Sequence, residues 1–131
     1  MTAITTYHGA ASIHQTLKAA TCELGYPAGV WTSLNRKTAS RYAERHIGGG
    51  TVATIELDAE QIFDFDQHEM AGRECQVATA RRIKREGYAA MQIANDILVF
   101  KTRKAGMRII EWGRPDALPA GKIKANRCSC H

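Results

Sequence analysis

The chain has 131 residues, of which 44% are hydrophobic and 24% charged, so it is long enough for one core and too short for two. No apolar run reaches the roughly 18 residues that cross a bilayer, and the first residues lack the basic and apolar regions of a secretion signal. We therefore expect one cytoplasmic domain over residues 1–112, without membrane contact, followed by a basic tail over residues 113–131 that contains Pro and Gly. The sequence leaves the oligomeric state open.

The four cysteines are scattered along a chain without an export signal, so we expect reduced thiols. Cys128 and Cys130 precede His131, but no second pair of ligands with finger-like spacing lies upstream, and no metal site is predicted. Eighteen Lys and Arg against thirteen Asp and Glu give a net charge of +5, which favours approach to nucleic acids or acidic proteins. The densest basic stretch, residues 81–85, is typical of the solvated face of a helix.

The first half of the chain alternates strand and helix patterns. Residues 2–8 favour a strand that Gly9 ends. A capping box at residues 12–15 and an apolar stripe through Leu17, Ala20 and Leu24 predict a helix that Gly25 ends. Residues 29–32 favour a short strand, and Asn35 is placed to cap a second helix, which residues 48–50 stop.

The second half is richer in strand patterns. Residues 51–57 alternate with the two-residue period of a half-buried strand, and residues 71–86 predict a helix that Gly87 ends. Three apolar runs follow, at residues 88–93, 97–100 and 107–112, with only short connections between them. Short connections favour antiparallel pairing, so the predicted class is α+β, with a compact, split and mainly antiparallel sheet flanked by helices.

Three motifs follow one another in a characteristic order. Tyr7-His8-Gly9 comes at a predicted strand end, Gly29 to Ser33 at a second strand, and Ala39 to Ala43 on the helix that follows. This series resembles ADP-ribosyltransferases of the diphtheria-toxin and poly(ADP-ribose) polymerase branch, over roughly residues 4–110. The closing stretches 87–90, 95–100 and 107–110 resemble small bacterial and phage members of that family.

The resemblance implies that NAD is the substrate, and it assigns a role to each matching position. Asp96 falls where the family has a catalytic Glu; its carboxylate would stabilise the oxocarbenium-like sugar formed when the nicotinamide bond breaks. His8 would hydrogen-bond a ribose hydroxyl, and the Gly9 backbone would pair with the nicotinamide carboxamide, since a residue without Cβ allows close approach. Tyr42 would stack on the nicotinamide ring.

Further positions complete the implied site. Trp31 replaces a family Tyr and would also stack on nicotinamide, with an indole N–H in place of a phenol hydroxyl. Ser33 would hydrogen-bond the carboxamide or the ribose. The implied NAD-binding set also includes Tyr7 and Thr32.

Each assignment has a structural alternative. His8 is equally consistent with a partly buried histidine that forms a structural hydrogen bond at a strand end. Trp31 and Tyr42 have the spacing of ordinary core aromatics. Asn-Asp between two strands is typical of a tight hairpin turn, which leaves Asp96 either catalytic or a turn residue. Glu56 and Glu111 are the fallback carboxylates.

The resemblance implies transfer of ADP-ribose to a macromolecular acceptor, protein or nucleic acid, by a stand-alone bacterial or phage toxin or effector. Two alternatives stay open. One is an NAD glycohydrolase or a binding module that does not turn NAD over. The other is a basic nucleic-acid-binding domain that uses residues 81–85 as its contact face.

Overall fold

The computed structural model describes residues 2–12, 17, 19, 20, 24–46, 50–65 and 73–115. They form seven strands, two α-helices and one 3₁₀ turn. In chain order these are β1 Ala3–Ala10, β2 Val30–Ser33, α1 Arg36–Ala43, β3 Thr51–Asp58, the 3₁₀ turn Ala59–Gln61, β4 Ile62–Asp64, α2 Arg73–Arg85, β5 Ala90–Ile93, β6 Asp96–Val99 and β7 Arg108–Gly113.

Most of the predicted elements are present. Helix α1 begins where the sequence predicts, because the Asn35 side chain accepts a hydrogen bond of 2.9 Å from the backbone nitrogen of Lys37. Helix α2 ends before Gly87, whose φ of +103° is a conformation that glycine adopts without strain. Strands β3, β5, β6 and β7 match the predicted runs to within about two residues at each end.

Three expectations need correction. Gly9 does not end the first strand, because β1 pairs with β3 over eight positions and continues to Ala10. The predicted helix after residue 12 lies mostly outside the described residues, but Ala20 forms an isolated β-bridge with Gly29 and so is not helical. Strand β4 was not predicted; it pairs in parallel with β5. The tail beyond residue 115 lies outside the described residues.

The strands form one sheet in the order β4-β5-β6-β2-β1-β3-β7, and every neighbouring pair except β4 and β5 is antiparallel. In this order four strands lie between β3 and β4, yet only the 3₁₀ turn Ala59–Gln61 joins them. A flat sheet would separate them by about 24 Å, which so short a connection does not span. The sheet therefore curls, and the predicted α+β class with a split, mainly antiparallel sheet is confirmed.

The curl encloses a core between two halves of the sheet. Apolar side chains from β2 and β6 meet side chains from β3 in one cluster. A second cluster lies under α2 and includes Ile83, Met91 and Leu98. Helix α1 packs chiefly on β1 and β3, where Ala39 and Ala43 contact Val52. Neither of the two described helices is long and apolar enough to cross a membrane.

Candidate functional site

The sheet is split between β1 and β2. Strand β1 is paired with β3 along its whole length, but its register with β2 consists of a single pair, Tyr7 opposite Ser33. Beyond that pair, residues 8–10 of β1 and 30–32 of β2 run along the two sides of the opening. Because edge backbone groups at such a divergence are available to a ligand or a side chain, the split is the natural place to search for a site.

His8 lies at this split and connects its two sides. Its Nδ1 lies 2.6 Å from the backbone oxygen of Trp31. A carbonyl oxygen only accepts hydrogen bonds, so Nδ1 carries the hydrogen, and in the neutral ring Nε2 is left as an acceptor. Burial lowers the pKa of His8 below its ordinary 6.5; the hydrogen bond to Trp31 opposes this shift and the charge of His46 adds to it. At neutral pH His8 is therefore a neutral hydrogen-bond acceptor.

Gly9 is required by the packing of β1 against α1. A Cβ on Gly9 would lie 2.6 Å from the backbone nitrogen of Ala43 and would also collide with the backbone oxygen of Ala39. The absence of a side chain is thus explained by the helix, whereas the sequence interpretation assigned it to the approach of a ligand. Pairing of the Gly9 backbone with a carboxamide stays a prediction.

Three of the predicted site residues form a row across the split. Asp96 is opposite Ser33 in the pairing of β6 with β2, and Ser33 is opposite Tyr7. Residues paired across antiparallel strands share a face of the sheet, so all three side chains lie on the face that α1 covers at Gly9. His8 follows Tyr7 directly, and its side chain therefore leaves β1 on the other face.

Asp96 is a buried carboxylate at the start of a strand. It is 5% exposed, and no other Asp or Glu is buried among the residues whose side-chain exposure the structure describes. The hairpin turn before it consists of Ala94 and Asn95, with Ala94 at a φ of 54°. The interpretation of Asp96 as a turn residue is therefore wrong. Of the fallback carboxylates, Glu56 pairs with Arg108 and Glu111 is exposed on β7.

The hydroxyl of Ser33 fixes the chain around Asp96. It donates to the backbone oxygen of Asn95 over 3.2 Å and accepts from the backbone nitrogen of Asn35 over 3.0 Å. The backbone nitrogen of Leu34 also donates to Asn95 over 2.7 Å. These bonds tie the end of β2 to the β5–β6 hairpin, so Ser33 holds the row in position.

Tyr42 and Trp31 lie on different sides of the β1–β2 boundary. Tyr42 is buried on α1, and the Arg45 guanidinium carbon is 4.5 Å from its ring centroid, a cation–π contact that the sequence analysis did not consider. Trp31 is 3% exposed and contacts the Tyr26 ring edge-on at 5.1 Å within the cluster under α2. The indole has the contacts of a core aromatic, and its stacking role stays a prediction.

Two further residues complete the inventory of this region. Thr32 is buried on the other face of β2, where its hydroxyl donates to the backbone oxygen of Ile97 over 3.1 Å. His46 was not anticipated, although it follows α1 closely and lies near enough to His8 to lower its pKa. The described part of the chain contains no group of three or more His, Cys, Asp or Glu side chains arranged to hold a metal ion.

Comparison with known protein families, with curated proteins and with solved structures finds no match to this chain.

Proposed function

We propose that the chain is an NAD-dependent ADP-ribosyltransferase whose site lies at the split between β1 and β2. The observation that carries the proposal is the row of Asp96, Ser33 and Tyr7 on one face of the sheet at this split, with neutral His8 at the same split on the opposite face. These four positions come from three distant parts of the sequence, and each was assigned to one site by resemblance alone. Their meeting at the split supports that assignment.

The proposed reaction breaks the bond between the ribose C1′ and the nicotinamide nitrogen. Its electron pair leaves with nicotinamide, the sugar becomes oxocarbenium-like, and an acceptor nucleophile bonds to C1′ and gives up its proton. Asp96 would supply negative charge to the developing cation, which a buried carboxylate does more effectively than an exposed one. His8 Nε2 would accept a hydrogen bond from a ribose hydroxyl, and Tyr42 would contact nicotinamide.

Hydrolysis of NAD, with water as the acceptor, is a second candidate. The burial of Asp96 supports it, because water reaches a carboxylate that is 5% exposed more easily than a macromolecular side chain does. Asp96 is also one methylene shorter than the Glu of the family that the sequence resembles.

The test is incubation of the purified chain with a cell lysate and NAD labelled in its adenylate phosphate. We expect label on a macromolecule with the wild-type chain and with Glu111→Gln, which removes an exposed carboxylate, and no label with Asp96→Asn. Label found only in free ADP-ribose would select hydrolysis. An absence of both products would overturn the proposal.

A further inference from the structure

Two basic segments that are distant in sequence lie against each other at one end of the sheet. The first is the last turn of α2, and the second is the loop that follows β6. Besides Arg82, which pairs with Glu86, they carry five cationic side chains that we call the basic corner: Lys84, Arg85, Lys101, Arg103 and Lys104.

Hydrogen bonds hold the two segments together. The Lys104 ammonium donates to the backbone oxygen of Gly87, just after α2. The backbone nitrogens of Phe100 and Lys101 both donate to the oxygen of Ala89, over 2.8 and 3.1 Å. The basic corner is thus one surface built from both segments.

The basic corner holds as many cations as the net charge of the whole chain, +5. The chain has eighteen Lys and Arg and thirteen Asp and Glu, so removal of these five cations leaves thirteen of each. None of the five forms an ion pair within the described part of the chain, and the nearby carboxylate of Glu86 is held by Arg82 at 2.7 Å. The five cations therefore lack an ion-pair partner among the described residues, and the carboxylate that lies against the same loop, Asp58, pairs with none of them.

Helix stability explains only part of this charge. Cations in the last turn of a helix interact favourably with its dipole, which is sufficient for Lys84 and Arg85, and the bond from Lys104 to Gly87 serves the same helix end. Lys101 and Arg103 lie in the loop and are exposed. Adding these two cations to the other three raises the electrostatic energy of the surface. An anionic partner would offset that energy.

An aromatic side chain follows the first basic segment, because Tyr88 comes three residues after Arg85. Tyr88 is 39% exposed, and its ring contacts Phe63 edge-on at 5.3 Å, which fixes the orientation of the ring. A held, partly exposed ring three residues after a cationic helix end is a combination suited to single-stranded nucleic acids, because bases stack on the ring while phosphates meet the charges. An acidic protein would not need the ring.

We propose that the basic corner and Tyr88 bind a single-stranded nucleic acid. This surface keeps Lys84 and Arg85 of the contact face expected at residues 81–85 and omits its other two cations, because Arg82 pairs with Glu86 and Arg81 donates to the backbone oxygen of Gly25. On the basis of the proposed function, this nucleic acid is the acceptor of ADP-ribose. Lys101 follows Asp96 by five residues, about 17 Å along the direction of β6, a distance that a few nucleotides span.

The first test measures binding of a fluorescent 12-nucleotide single strand of mixed sequence, as DNA and as RNA, at several salt concentrations. One phosphate contact for each cation of the basic corner predicts that log affinity falls with log salt with a slope of about −3.5. The variant Lys101→Glu/Arg103→Glu should bind at least tenfold more weakly and with a shallower slope. The matched control Lys37→Glu/Arg41→Glu makes the same charge change at two exposed positions of α1 and should change affinity far less.

Tyr88 is tested by Tyr88→Ala, which should weaken binding of the single strand at least fivefold and leave binding of heparin, a polyanion without bases, unchanged. No binding of the single strand by the wild-type chain would overturn the inference. Equal weakening by the two charge-reversal pairs would overturn it as well, because binding would then depend on net charge alone.

The acceptor role is tested with labelled NAD and the same oligonucleotide. We expect label on the oligonucleotide, lost in Lys101→Glu/Arg103→Glu while nicotinamide release from NAD continues. Nicotinamide release with an unbound and unlabelled oligonucleotide would contradict the inference and leave the proposed function standing. Binding through the corner without any nicotinamide release would contradict the proposed function, and would reduce the inference to nucleic-acid binding alone.

Discussion

At the scale of single residues, His8 connects the structure to a pH dependence. Because its pKa in the folded chain is below 6.5, the unfolded chain binds more protons in the interval between the two values. Its contribution to stability is therefore fully present above about pH 6.5 and is lost as the pH falls toward the lowered pKa. The charged ring is disfavoured because it is buried.

The pH prediction compares urea unfolding of the wild-type chain with His8→Asn between pH 8 and pH 5. Asn keeps a donor for the Trp31 oxygen but does not titrate, so the variant should lose less stability on acidification than the wild type does. His46→Gln serves as the control and should retain most of the wild-type dependence. Identical pH profiles for His8→Asn and the wild type would refute this account of His8.

Gly9 gives a second prediction at this scale. Gly9→Ala places a Cβ against the α1 backbone, which cannot move without shifting the helix, and we expect a loss of about 1–3 kcal/mol in the free energy of unfolding. Gly113→Ala is the control, because its Cβ would lie 3.0 Å from the Arg36 guanidinium, a flexible group that can move. Urea unfolding measures both variants, and equal losses would show that α1 does not constrain Gly9.

The resemblance to a family was needed to nominate Tyr7, His8, Ser33 and Asp96, because residue type and position at a strand end alone also fit ordinary structural residues. The contacts of Trp31 were not predictable, because Tyr26 and the cluster under α2 meet it only after the chain has folded. The contact between Arg45 and Tyr42 did have a signal, since the two residues are one helical turn apart.

At the scale of elements, the β5–β6 hairpin positions Asp96 through a strained turn. Ala94 has a φ of 54°, a conformation that costs a residue with a Cβ roughly 1–2 kcal/mol. Ala94→Gly should relieve this strain and, after the added backbone entropy of glycine, raise the free energy of unfolding by up to about 1 kcal/mol.

An alanine-to-glycine substitution at an exposed helical position should lower the free energy of unfolding, the opposite of the effect expected at Ala94. Ala78→Gly in α2 is expected to lower stability by about 1 kcal/mol, because glycine is a poor helix former. Thermal or urea unfolding of the two variants measures both changes in the free energy of unfolding. A destabilising Ala94→Gly would mean that the turn is not strained.

Predictability differed among the elements. Strand β3 has a clear two-residue period, and α1 has both a cap and an apolar face, so local sequence is sufficient for each. Strand β4 has three residues with no period to detect, and it is a strand only because β5 pairs with it. At Ala20, pairing with Gly29 prevailed over the helical stripe of the sequence.

At the scale of the whole molecule, the split and the curl decide where the site lies. Neither feature can be predicted from a short stretch of sequence. Both depend on which distant strands pair and on the number of residues over which they pair. The resemblance predicted a split sheet, whereas the register between Tyr7 and Ser33 and the row that ends at Asp96 became visible only in the folded chain. The fold class was therefore predictable and the geometry of the site was not.

The most direct test of the account is the rate at which the purified chain releases nicotinamide from NAD. We predict release by the wild-type chain and by Glu111→Gln, and a decrease of at least about 100-fold in Asp96→Asn, with unchanged thermal unfolding of that variant. Equal rates of nicotinamide release by the wild-type chain and Asp96→Asn would contradict a site for NAD cleavage built around Asp96. So would the absence of release by the folded wild-type chain.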